Sequence, residues 1–138
     1  MDTSETYIKM CQEAKEIQTE HILSEGDFYS PDGREMGIWC YEYQEVGIWL
    51  PRQDQLQEMI WQNRSGICYQ KPLSLLAYLF HFAYDTYQTQ RPEIQELLNN
   101  KDASMEQLWF AFAMKEKYNK SWTGKNWLLS KKGVKEDT

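Results

Sequence analysis

His81 and Asp85 stand four residues apart in an apolar run, so on a helix both would project from one face. A histidine oriented by a carboxylate can activate a thiol, and Cys68 or Cys40 would supply one. That combination belongs to a small hydrolase. No sequence signature joins these residues, however, and a buried histidine satisfied by a neighbouring acid has the same spacing. His21 and His81 are the only histidines, and neither sits in an HxxxH or HxxE pattern, so no metal site is expected. The seven glycines form neither GxGxxG nor GxxxxGK, so no phosphate-cradling loop is expected and no cofactor is implied. Glu42 with Glu45, and Asp54 with Glu58, are spaced like paired carboxylates, but on so acidic a chain they read as solvated faces.

Aromatic residues offer a second kind of chemistry. The chain holds six Trp, nine Tyr and five Phe, more large rings than a small core usually needs. Trp39, Tyr41 and Tyr43 alternate, so on a strand they share one face, and Trp49 can join them from the next strand. Ile38 and Cys40 would then pack on the helices. An aromatic sheet face can stack a base. Trp122 and Trp127 add two rings around a glycine turn. The candidate binding set is therefore Trp39, Tyr41, Trp49, Trp122 and Trp127 for stacking, with Arg52 and Lys125 to hold phosphate and Gln53 beside them. The plainer alternative is a sheet covered on both sides, with the same rings as core.

These residues need elements to position them. Apolar spacing predicts a helix over 3–23, capped by Thr3 or Ser4 and carrying Tyr7, Met10, Cys11, Ala14, Ile17 and Gln18 on one side. Ser30-Pro31-Asp32-Gly33 is a turn signal. Around it, Phe28-Tyr29, Met36 to Tyr43 and Val46 to Leu50 read as at most a three-strand meander, with Trp49 turned from the main apolar side. Gln53 to Asn63 reads as a helix with Leu56, Met59 and Ile60 on one face. Pro72 opens a helix over 73–87 that is apolar nearly all round and is expected at the centre of the domain or under a second copy. A short helix over 93–99 follows. Ser104-Met-Glu-Gln107 is a capping-box pattern starting a helix to about Asn119, and 122–127 reads as a hairpin. The expected fold is α+β: a small antiparallel sheet from about residues 26–50 packed against four or so helices. One domain spans 1–130, and 131–138 is a flexible basic tail.

A length of 138 residues suffices for one core without staples. The formal charge of −6 argues against non-specific nucleic-acid binding, although residues 115–138 carry a net of +4 against −10 for the rest. Cys11, Cys40 and Cys68 are odd in number and widely spaced, which reads as reduced thiols. No signal peptide or membrane span is expected.

Two blocks, Trp49-Leu-Pro-Arg-Gln-Asp-Gln-Leu-Gln-Glu-Met59 and Ser104-Met-Glu-Gln-Leu-Trp109 running on through Ala111-Phe112, Met114-Lys-Glu-Lys-Tyr118, Trp122, Gly124 and Trp127, resemble those of small bacteriophage- and prophage-encoded proteins. Tyr7-Ile-Lys-Met-Cys11 and Gly26-Asp27-Phe28 are similar too, while about 62–103 diverges. The resemblance implies a phage accessory protein in a host bacterial cytoplasm and brings no functional residue with it. With the aromatic surplus it leads to a non-enzymatic protein that sequesters a small nucleotide-type ligand, such as a bacterial immune signal, in counter-defence. Two alternatives stay open: an inhibitor or adaptor that binds a host or phage protein, and a small hydrolase using Cys and His. Homo-oligomerisation is allowed, because the helices over 73–87 and 104–114 offer more apolar surface than one small domain must bury.

Overall fold

Ser4 opens the first helix, α1 (Glu5–Glu13), its hydroxyl accepting from the Tyr7 amide at 3.2 Å. A computed structural model describes residues 1–63, 76–77, 79–84 and 102–129, the side chains of 62 and 63 aside. Tyr7, Ile8, Met10 and Cys11 are buried on α1. One helix over 3–23 was the expectation; the chain instead breaks at Ala14 and resumes as α2 (Lys15–Glu20). Gln18 supplies the cause. Its side-chain amide donates to the Cys11 carbonyl at 3.0 Å, and the Ala14 amide takes the same oxygen at 3.1 Å. The carbonyl that would serve Lys15 in an unbroken helix is thus already occupied.

The larger sheet joins β1 (Phe28–Ser30), β2 (Gly37–Ile38) and β3 (Ile48–Trp49). Its order is β2-β1-β3, with β1 antiparallel to both neighbours, so β1 is central and the expected meander order is corrected. The turn after β1 forms as read: Gly33 has φ +83° and donates to the Ser30 hydroxyl at 2.9 Å. The strand expected over 36–43 stops at Ile38. Beyond it the Cys40 carbonyl accepts from the Tyr43 and Gln44 amides at 3.2 and 3.1 Å, and Gln44 takes a left-handed φ of 51°. That turn ends the alternation, so Trp39 is buried while Tyr41 and Tyr43 are exposed, and the three share no strand face. Ile38 is also exposed rather than packed on the helices. The loop returns over β1 at Gly47, where a Cβ would lie 2.7 Å from the Ser30 carbonyl oxygen and 2.7 Å from the Tyr29 ring.

The centre of the molecule belongs to α4 (Met105–Tyr118), buried continuously from Trp109 to Met114. Against it pack α1, the Leu56 and Ile60 face of α3 (Gln53–Asn63), and a hairpin of β4 (Lys120–Trp122) and β5 (Trp127–Leu129). The helix expected over 73–87 is therefore not central in its described part. Leu79 is buried and Phe82 meets Phe112 at 5.1 Å, but Leu76, Phe80 and Tyr84 are exposed, because α4 already fills the middle and leaves one face to cover. Ser104 caps α4 through the Gln107 amide at 3.1 Å. The reciprocal half of the capping box is absent. The Gln107 side chain donates instead to Asp2 at 2.9 Å, and Asp2 also bonds the Ser104 hydroxyl and the Ser4 amide. One carboxylate thereby serves the positive ends of α1 and α4. The expected helix over 93–99, the start at Pro72 and the tail from 131 lie outside the described residues, as do Cys68 and Asp85.

Candidate ligand-binding site

His21 ends α2 in an extended conformation, its amide still bonded to the Ile17 carbonyl at 3.2 Å. The chain then turns over 24–27, with Gly26 at φ +89°, and brings Asp27 back to the imidazole. The buried Asp27 carboxylate accepts from His21 Nε2 at 2.8 Å, from the Ser24 amide at 2.8 Å and from Gln55 Nε2 at 2.9 Å. Burial alone would raise this carboxyl, but the bonds from His21, Ser24 and Gln55 outweigh it and hold it below the ordinary carboxylate value. An ionised carboxylate only accepts, so the proton faces it on Nε2. Nδ1 has no partner among the described residues.

The imidazole lies flat on the Trp49 indole, with centroids 3.4 Å apart and planes 8° apart. Trp49 is itself fixed by Gln18. The Trp49 amide donates to Gln18 Oε1 at 2.8 Å, and Gln18 Nε2 donates to the Trp49 carbonyl at 2.9 Å. One side-chain amide thus acts as the next strand along the open edge of β3. The indole N–H of Trp49 is buried without a partner among the described residues, a burden of about 1–3 kcal/mol that the surrounding packing offsets.

His21 and Trp49 form part of the wall of an open cleft of about 370 Å³. Leu23 and Trp39 extend its apolar lining, and Gln44, Glu45 and Gly47 come from the returning loop. Trp39 donates through Nε1 to the Glu45 carbonyl at 2.8 Å, while the Tyr29 hydroxyl donates to the Glu45 carboxylate at 2.7 Å. At the mouth Ile22 and Val46 are 85% and 87% exposed. The same two rings also line a smaller hollow of about 130 Å³ with Met59, Lys117 and Tyr118, where Lys117 pairs with Glu20 at 3.2 Å.

Of the residues singled out from the sequence, Trp39 and Trp49 meet in this cleft. Tyr41 stands edge-on to Trp39 at 6.1 Å, exposed on the loop and outside the lining. Arg52 is engaged with Asp54 at 3.0 and 3.3 Å and does not line the cleft. Trp122 and Trp127 are core residues: their rings are 5.1 Å apart, and Trp127 stacks on Phe110 and donates to the Met10 carbonyl at 2.8 Å. Lys125 is exposed at the hairpin turn. The seven therefore do not form one constellation, because three of them belong to the hairpin and its packing against α1 and α4. His81 is exposed, Cys11 is buried and Cys40 half-buried. The residues not foreseen are His21, Asp27, Gln18 and Glu45. A histidine six residues before an aspartate, with Gly26 between, was the one signal available.

Among the described residues no group of three or more His, Cys, Asp or Glu is placed to hold a metal ion. No described helix is long and apolar enough to cross a membrane. Comparison with family models, curated proteins and solved structures gives no match.

Proposed function

We propose that this chain is a non-enzymatic binding protein that holds a small flat ligand in the cleft beside the His21–Trp49 stack. The observation that carries the reading is the stack itself, with Trp39 nearby, opening on a cleft within the usual size range of small-molecule sites, about 300–1,000 Å³. Stacking partners that are already rigid lose little freedom on binding. Asp27 fixes the imidazole and Gln18 fixes the strand that carries the indole. In its fuller form, drawn from the resemblance to phage-encoded proteins, the ligand is a nucleotide-type signal of bacterial defence. Withdrawing that signal in the host cytoplasm would be the protein's role.

Thermal-shift and native mass spectrometry against linear and cyclic nucleotides and their nucleosides test this. A rise of several degrees with an intact, recoverable ligand mass is expected, and it should vanish in Trp39→Ala. Chemically altered ligand, or no response to any member, would overturn the reading. A second reading, an adaptor or inhibitor docking a protein, is favoured by the exposed Ile22 and Val46 of the cleft and by the exposed Ile38 next to Trp39 in the chain. It predicts a partner lost on Val46→Asp in pull-downs from infected cells while small-ligand binding stays absent.

A further inference from the structure

We infer that the cleft selects the ring end of its ligand by hydrogen-bond polarity and charge. It takes a flat, amino-substituted heterocycle without negative charge and disfavours a phosphate group. The inference rests on the binding reading above and narrows its ligand class.

Most hydrogen-bonding groups of the cleft's side chains are already spent. Both ends of the Gln18 amide are used, on Cys11 and on the Trp49 backbone. The Trp39 indole N–H is used on the Glu45 carbonyl. Among the lining side chains, what remains unspent is the Glu45 carboxylate, which has taken one hydrogen bond from Tyr29, together with the Gln44 side-chain amide and His21 Nδ1; the Trp49 indole N–H is unpartnered too, but fully buried. A carboxylate has about four acceptor sites and no donor. Among the described residues no lysine or arginine lines the cleft, and Lys117, in the neighbouring hollow that shares His21 and Trp49, is paired with Glu20. Glu45 is the one carboxylate among the lining residues, and His21 is turned through Nε2 to the buried Asp27 carboxylate. A phosphate placed in this cleft would meet Glu45 without a lysine or arginine of the lining to answer it. An exocyclic amine or ring N–H would meet an acceptor while its π-face lies against indole or imidazole. A ring of this kind with positive charge gains further from the indole face. The volume, near the low end of small-molecule sites, suits one base or nucleoside better than a dinucleotide.

Isothermal titration of the intact chain with adenosine, guanosine and cytidine and their 5′-monophosphates tests this, first at low salt and then at about 150 mM. At least one nucleoside is expected to bind about tenfold more tightly than its own monophosphate at low salt, a gap of about 1.4 kcal/mol. The gap should shrink as salt screens Glu45, and shrink again in Glu45→Gln, whose amide oxygen can still accept from Tyr29. A monophosphate that binds more tightly than its nucleoside overturns the inference and leaves the binding reading standing. Equal affinities that ignore both salt and Glu45→Gln overturn it as well. Absence of binding by all six compounds, together with a negative nucleotide screen, removes the binding reading itself.

Discussion

Replacing Gln18 by alanine removes three hydrogen bonds at once: two to the Trp49 backbone and one to the Cys11 carbonyl. At about 0.5–1.5 kcal/mol each, the loss should be about 2–4 kcal/mol, read as a lower urea midpoint. Gln18→Glu restores the acceptor but not the donor and should recover only part of it. Asp27 gives a test with a sign. Its carboxyl and that of Asp2 both lie below the ordinary value in the folded chain, each against an opposing push from burial; for Asp2 the bonds from Ser104, Ser4 and Gln107 win. Such groups contribute stability above an unfolded carboxylate value of about 4, and that contribution is lost as pH falls through the folded value. Urea midpoints across pH 2–7 should therefore drop toward acid, and Asp27→Asn should flatten part of that drop while lowering the midpoint at pH 7. An acid limb identical in the variant would remove Asp27 from the account.

Among the elements, the loop over 39–47 is where sequence reading and structure part. Gly47→Ala should destabilise by about 1–3 kcal/mol, because its Cβ meets a backbone oxygen that cannot swing aside. Calorimetry showing an unchanged Tm would contradict that close approach. Local signals were legible: Ser4 and Ser104 cap their helices, the Ser30–Gly33 turn forms, and Trp122 pairs with Trp127 across the hairpin. Each depends on residues a few positions apart. What the sequence could not disclose depends on distant partners. Gln18 breaks its helix to serve a strand 31 positions away. Gln107 leaves its own cap for Asp2, 105 positions away. The alternation of Trp39, Tyr41 and Tyr43 is a strand pattern that the left-handed Gln44 and the Cys40 carbonyl turn into a loop. The site shares that fate: sequence patterns mark two of its rings, Trp39 and Trp49, but no local pattern joins His21 and Asp27 to them.

At the scale of the whole molecule, apolar surface remains to be explained. Leu76, Phe80 and Tyr84 recur every four positions along one exposed helical face, a stripe that the homo-oligomer allowed by the sequence would cover. Sedimentation should show an oligomer in the native chain and a monomer in Phe80→Glu, whose cleft ligand binding is expected to persist. A native monomer would leave the stripe without that role. The core carries another consequence. Met10 on the first helix accepts its hydrogen bond from Trp127, and the Asp2 carboxylate waits for Ser104 and Gln107. During translation, then, the opening helix has no finished surface to settle on until residue 127 has been added. At roughly 5–20 residues per second, the stretch from Glu13 to Trp127 leaves that helix accessible to chaperones and proteases for roughly 6–23 s.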